Sequence, residues 1–217
     1  MKNKYAADLL IFDLDGTLVD TRRDLANAVN HALHQLGKNE VEVDTVTGYV
    51  GDGVRKLLER ALGDAAKTEL ETALRHFRSF YYEHIADFSQ PYPGVGEVLE
   101  HFAHKRKAIL TNKPQEFTEA LLQRLDMHRH FAMAIGGQPH LKLKPDPEAI
   151  FTILHHFDLS ASRALIIGDG ENDILVGKAA KIVTGAAAYG FRPVEKLRAL
   201  QPDFVIETPA ELMDLII

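Results

Sequence analysis

Short, uninterrupted apolar runs recur along the chain, separated by stretches with helical spacing. Leu9-Leu10-Ile11-Phe12 comes first, followed by Ala108-Ile109-Leu110, the run at 131–135 and Ala164-Leu165-Ile166-Ile167. Two weaker runs, Ile182-Val183 and Phe204-Val205-Ile206, come last. Residues that are apolar at successive rather than alternate positions suit strands covered on both faces, as in a parallel sheet. The segments 95–104, 115–125 and 147–156 carry apolar residues three or four apart and read as crossover helices. Strand and helix in repeated alternation predict an α/β fold with a doubly wound, mostly parallel sheet.

One interval breaks this rhythm. Roughly ninety residues separate the first run from the second, far more than a crossover between parallel strands needs. From Thr21 to about Phe88 only helical patterns occur, at 24–36, 54–62 and 65–85. The expected architecture is therefore a Rossmann-like core of residues 1–18 plus 89–217, with a small helical cap domain inserted at 19–88. Gln90-Pro91-Tyr92-Pro93-Gly94 supplies the return hinge, its prolines and glycine setting the backbone.

Composition narrows the function. With 25 Lys and Arg against 31 Asp and Glu, the 217-residue chain has a net charge of −6, opposite to what a nucleic-acid binder concentrates on its surface. The chain has no cysteine, which excludes disulfides, thiolate catalysis and Cys-ligated zinc and fits a reducing cytosol. The basic N-terminus, Met1-Lys2-Asn3-Lys4, precedes an apolar run that stops at Asp13, too short for a signal-peptide core. No stretch has the length of a membrane span. A cytoplasmic protein that binds neither nucleic acid nor membrane is expected.

Polar residues enter abruptly where the strands end, which is where open α/β sheets bind ligands. The first run is followed by Asp13-Leu14-Asp15-Gly16-Thr17 and the second by Thr111-Asn112-Lys113. Lys144-Pro145 follows the third, and Gly168-Asp169-Gly170-Glu171-Asn172-Asp173 the fourth. Asp13, Asp15, Asp169, Asp173 and Lys144 together carry −3 if all are ionised. Two like charges about 4 Å apart repel by roughly 4 kcal/mol at an effective dielectric of 20, so such a cluster holds either protons or a cation. Oxygen-only ligands, with positions left for water and phosphate, favour Mg²⁺. A bound divalent ion also turns an anion-repelling pocket into one that accepts a phosphate dianion. A calcium loop is excluded, since its glycine and glutamate positions hold Leu18 and Asp24 counted from Asp13, and Ile174 and Ala180 counted from Asp169.

These four segments, in this order and with a helical insertion after the first, resemble the haloacid dehalogenase-type phosphatases along essentially the whole chain. The resemblance implies a Mg²⁺-dependent phosphomonoester hydrolase acting through an aspartyl-phosphate. It makes Asp13 the nucleophile and Asp15 the general acid and base. Mg²⁺ would be held by the Asp13 carboxylate, the Asp15 carbonyl and Asp169, with Asp173 buttressing a metal-bound water or Lys144. Thr111 and the Asn112 N–H would grip phosphoryl oxygens, and Lys144, rather than the neighbouring Lys142, would neutralise their charge.

Within the insertion, Gly51-Asp52-Gly53 followed by Arg55 resembles the specificity loop of phosphoglycolate phosphatases. Tyr189-Gly190-Phe191 and Pro202-Asp203-Phe204-Val205-Ile206 are similar to the tail of that subfamily. The implied substrate is 2-phosphoglycolate, cleaved to glycolate and phosphate, with Arg55 or Lys56 meeting its carboxylate. A small phosphorylated metabolite is the expected partner, and a monomer or homodimer the expected assembly. Three alternatives stay open: a phosphatase for a sugar phosphate, pyrophosphate or nucleotide; a sugar-phosphate mutase that returns the phosphoryl group to substrate; and a phospho-aspartate receiver module, which would be half as long and lack the insertion. The histidine pairs His155-His156 and His128-Arg129-His130 fall in helical or loop segments away from the acidic strand ends and are expected to be solvated, or for one of them partly buried and capped by a neighbour.

Overall fold

A computed structural model describes residues 4–217, so the first three residues of the basic N-terminus lie outside it. In chain order, β1 (Leu9–Phe12) is followed by β2 (Val19–Asp20) and four helices: α1 (Arg22–Gln35), α2 (Val43–Tyr49), α3 (Gly53–Leu62) and α4 (Ala66–Glu83). The chain returns through β3 (Gln90–Pro91) to α5 (Val95–His101), β4 (Arg106–Pro114), α6 (Gln115–Arg124) and β5 (Met133–Gly137). It then runs through α7 (Glu148–Phe157), β6 (Ala164–Gly168), α8 (Glu171–Ala180), β7 (Val183–Ala187), α9 (Val194–Ala199), β8 (Phe204–Ile206) and α10 (Leu212–Leu215). Among the described residues no helix is long and apolar enough to cross a membrane.

Six strands form one parallel sheet in the order β5-β4-β1-β6-β7-β8. The chain winds outward from β1 in one direction, then crosses back and winds outward in the other. This doubly wound topology places its switch point at the carboxyl end of β1. Both faces of the sheet are covered, which is why β1 is apolar at every position. Leu10 and Phe12 pack with Val98 of α5, with Phe102 just after it, and with Phe117 and Leu121 of α6. Leu9 and Ile11 pack on the opposite face with Ile150 and Ile153 of α7 and Val176 of α8.

The helical insertion leaves and rejoins the core through a two-stranded antiparallel ribbon in which Val19 pairs with Pro91 and Asp20 with Gln90. A buried carboxylate fastens this double crossing. Asp24, in the first turn of α1, accepts the Phe88 and Ser89 N–H groups and the Ser89 hydroxyl, the last at 2.6 Å. Inside the insertion, Leu25, Val29, Leu57, Leu58, Ala73 and Phe77 share one core. Its apolar packing continues into the sheet-covering helices, where Phe77 and Tyr81 of α4 meet Phe117 of α6 edge-on at 6.2 and 5.1 Å between ring centroids.

Several elements depart from their expected extents. The helix expected over 95–104 stops at His101, and the strand expected from 131 begins at Met133, because a 3-10 turn at His128–His130 uses the preceding residues. The weak run at Ile182-Val183 is the start of β7, which continues through Thr184, Gly185, Ala186 and Ala187. These small residues are buried because β7 lies under bulky neighbours: a Cβ on Gly185 would come within 2.4 Å of the Phe204 ring. Helix α2 carries no sequence expectation, and the return hinge expected at 90–94 contributes Gln90 and Pro91 to the β2–β3 ribbon.

Candidate active site

The carboxyl ends of β1, β4 and β6 and the loop after β5 open into a cavity of about 650 Å³ whose other wall belongs to the helical insertion. Asp13, Asp15, Thr111, Asn112, Lys144, Asp169 and Asp173 all line it from the core, and Gly51, Asp52 and Gly53 from the insertion. Residues scattered over 160 positions of sequence are thus brought to one crevice at the switch point of the sheet.

Asp13 leaves β1 at the centre of the sheet, where its N–H is held by the Ile167 carbonyl of β6. Its Oδ1 is buried and lies 2.9 Å from Lys144 Nζ as an ion pair, outside hydrogen-bonding alignment. Lys144 Nζ donates to Asp173 Oδ1 at 2.5 Å and to the Leu110 carbonyl at 2.8 Å. Burial opposes the charge on this ammonium, but Asp13 and Asp173 outweigh it and raise its pKa. Lys142, by contrast, is exposed and pairs with Asp146.

Asp169 ends β6 and is clasped on both oxygens, Oδ1 by the Thr17 hydroxyl at 2.9 Å and Oδ2 by the Phe191 N–H at 2.7 Å. Burial, reinforced by the charges of Asp13 and Asp173, nevertheless pushes its pKa up to about 8. Asp173 is raised for the same first reason, against the pull of Lys144. Asp13, Asp169 and Asp173 each present a carboxylate oxygen within 4.8 Å of the others. Three oxygen donors that repel one another, those of Asp169 and Asp173 buried and that of Asp13 partly so, suit a hard divalent cation, so the donor set fits one.

Asp15 turns away from this triad. Its carboxylate accepts the Thr21 hydroxyl at 2.8 Å and the Lys113 ammonium at 2.9 and 3.1 Å. Thr111 is buried in the second half of β4, its hydroxyl accepting the Lys113 N–H. The Asn112 side chain joins two loops: its amide donates to the carbonyls of Gly51 and Lys144, and its oxygen accepts the Lys144 N–H at 2.8 Å.

The loop that carries Gly51, Asp52 and Gly53 is seated on the core. Gly51 and Gly53 have φ of +120° and +84°, a region that side chains with a Cβ rarely adopt, and this lets the chain turn sharply into α3. Asn172 donates to Asp52 at 2.9 Å, and Arg60 pairs with the same carboxylate. Arg192 donates to the carbonyls of Thr47, Gly48 and Val50 at the end of α2.

Arg55 does not reach the cavity, contrary to expectation. It is an exposed residue paired with Glu71, and Lys56 pairs with Glu59. Helical geometry explains this: Gly53, Val54, Leu57 and Arg60 follow the face of α3 turned to the cavity, and positions 55 and 56 point away. The cations that do line the insertion side and the mouth are Arg60, Arg192 and Lys196, of which Lys196 has no ion-pair partner among the described residues. The spacing of α3 carries a signal for Arg60, whereas Arg192 and Lys196 lie in a segment with no pattern of its own. Two further residues are absent from the expectations, Lys113, which stands inside a recognised segment, and Tyr81 of α4, whose hydroxyl accepts from Lys113 Nζ at 2.7 Å.

The sequence pattern of the haloacid dehalogenase-like hydrolases matches residues 10–187, which hold every acidic strand end described above. The chain belongs to this family. It is similar to phosphoglycolate phosphatases of Aquifex aeolicus, at 35% identity over 95% of each chain, and of Photobacterium profundum, at 36% identity over 100% of this chain and 98% of the other. Among solved structures, a Haemophilus somnus protein described as a predicted phosphoglycolate phosphatase superposes with a TM-score of 0.89 at 28% identity, covering 96% of this chain and 97% of the other. A haloacid dehalogenase-like family hydrolase of Streptococcus pneumoniae does so with a TM-score of 0.86 at 25% identity, covering 96% and 97%.

Proposed function

We propose that this haloacid dehalogenase-like hydrolase is a Mg²⁺-dependent phosphatase that cleaves 2-phosphoglycolate to glycolate and phosphate. The observation that carries the reading is Asp13, a carboxylate at the sheet's switch point that is ion-paired to a buried lysine and shares its site with two more carboxylates. Its relatives named phosphoglycolate phosphatase, similar over nearly their whole length, support the substrate.

In this reading Asp13 attacks phosphorus in line and the bond to the substrate oxygen breaks, leaving an aspartyl-phosphate. Asp15 gives a proton to the departing alkoxide, then takes one from the water that releases phosphate and restores Asp13. Lys144 and Thr111, with the Asn112 N–H, face the equatorial oxygens, where charge must be balanced. Asp173 holds the Lys144 ammonium in place. Mg²⁺, held by the Asp13 carboxylate, the Asp15 carbonyl and Asp169, supplies the positive charge that lets a phosphate dianion approach three carboxylates.

The helical insertion serves as the cap that closes the crevice over a small substrate. Arg60 and Lys196, rather than Arg55, line the cavity and are the cations this reading assigns to the substrate carboxylate. The test is phosphate release from a panel of phosphorylated metabolites with Mg²⁺, using Asp13→Asn as control. The highest kcat/KM is expected for 2-phosphoglycolate and none for the control. Phosphoryl transfer between sugar positions without free phosphate would make the protein a mutase instead.

A further inference from the structure

Tyr81, Lys113 and Asp15 form a chain, buried at its first two members, that leads from the helical insertion to the carboxylate assigned above to proton transfer. Lys113 Nζ donates to Asp15 Oδ1 and Oδ2 at 2.9 and 3.1 Å and to the Tyr81 hydroxyl at 2.7 Å. The side chain of Lys113 is 2% exposed and Tyr81 is fully buried, so water does not compete for these contacts. An ammonium has three protons, and all three are committed. Lys113 therefore has none to offer a substrate, and whatever it does for the reaction it does through Asp15.

The geometry also distinguishes the two oxygens of Asp15. Oδ1 receives the Thr21 hydroxyl at 2.8 Å as well as the shorter contact from Lys113, whereas Oδ2 receives only the longer one. Oδ2 thus keeps the free lone pair that can carry a proton. Tyr81 fixes the far end of this arrangement. Its ring is wedged between Phe117 of α6 at 5.1 Å and Phe77 at 5.3 Å, and the Lys113 ammonium lies 4.6 Å from the ring centroid. Without the hydroxyl, a buried N–H would lose its acceptor and the ammonium would be free to swing, taking the carboxylate with it.

We infer that Tyr81 and Lys113 are a positioning pair that aims Asp15 Oδ2 at the oxygen of the leaving group, so that the insertion contributes directly to the acid–base step. This rests on the assignment of Asp15 as general acid. The proton passes from Asp15 Oδ2 to the alkoxide as its bond to phosphorus breaks and the bond from Asp13 to phosphorus forms. A leaving group stable as an anion needs no such proton.

The test compares kcat/KM for an alkyl ester, 2-phosphoglycolate, with that for an aryl ester, p-nitrophenyl phosphate, in the Mg²⁺-loaded enzyme. Tyr81→Phe is expected to lower the value for the alkyl ester at least tenfold more than that for the aryl ester, with KM changed less than kcat. Lys113→Met, which preserves length and burial, should show the same selectivity and carries the comparison if Tyr81→Phe fails to fold. A uniform loss on both esters, or no loss on either, would overturn the proposal. Asp13→Asn is run in parallel. Turnover retained in that variant defeats the aspartyl-phosphate mechanism on which the inference rests, whereas an inactive Asp13→Asn beside a non-selective Tyr81→Phe defeats only the positioning pair.

Discussion

Lys144 and Asp173 form an ion pair of 2.5 Å in which neither side chain is more than 3% exposed. The same ammonium faces Asp13, so one lysine both fixes a carboxylate and offsets the charge of the candidate nucleophile. Removing one partner of such a pair leaves a charge stranded in a poorly solvated site, at a cost of roughly 3–5 kcal/mol. Lys144→Met is expected to destabilise the protein by about that much at neutral pH and to lower kcat by about a hundredfold or more. The double variant Lys144→Met with Asp173→Asn should regain most of the stability and none of the activity. Chemical denaturation and steady-state kinetics on the three proteins check this. Recovery of turnover in the double variant would contradict it.

The raised pKa of Asp169 makes a prediction with a definite sign. Between its ordinary value near 4 and the value of about 8 set by burial and its acidic neighbours, the folded metal-free protein binds more protons here than the unfolded chain. Stability without metal should therefore fall as pH rises through this window, and Asp169→Asn should remove that part of the slope. Mg²⁺ needs the ionised form, so its apparent affinity should rise with pH up to about 8, with proton release on binding. Thermal unfolding in chelator at several pH values, and calorimetric titration with Mg²⁺ in two buffers, measure both effects.

The chain segments that join core and insertion meet at Asp24, whose carboxylate takes donors from both Phe88 and Ser89. Asp24→Ala leaves those backbone N–H groups without partners and should cost about 2–3 kcal/mol. In urea denaturation the midpoint should drop while the slope stays unchanged.

Substrate choice offers a contrast between two cations. Lys196 lines the cavity and has no ion-pair partner among the described residues, whereas Arg55 lies outside it on Glu71. Lys196→Ala should raise KM for 2-phosphoglycolate about tenfold, the loss of one charge-assisted hydrogen bond, and leave KM for p-nitrophenyl phosphate unaltered. Arg55→Ala should change neither. The opposite pattern would return the carboxylate contact to Arg55.

The parts of this molecule legible in its sequence are those fixed by burial on both sides of the sheet. Leu9 to Phe12 and Ala164 to Ile167 are apolar throughout because helices cover both faces, and the polar residues that follow them mark the strand ends. Helix α2 is not legible, since Val43, Thr45, Val46, Thr47 and Gly48 are poor helix formers held in place by packing against α1. Nor is most of β7, whose small residues fit beneath Phe204 and give little apolar signal. In the candidate site, Asp13, Asp15, Thr111, Lys144, Asp169 and Asp173 could be singled out because each stands at a strand end or in a strand-following loop. Tyr81 could not, because its contact with Lys113 depends on how four helices fold back over the sheet. The place of Arg55 depends on the helix phase: Val54 and Leu57, buried in the insertion, fix which face of α3 turns inward, and that phase selects Arg60.

The proposed reaction places the phosphoryl group on one carboxylate, that of Asp13. Crystals grown with Mg²⁺ and beryllium fluoride, which mimics a phosphoryl group on aspartate, test it directly. The adduct is expected on a carboxylate oxygen of Asp13, with its fluorines facing Lys144 and Thr111. An adduct on Asp15, Asp169 or Asp173, or none under conditions where the enzyme turns over, would contradict it.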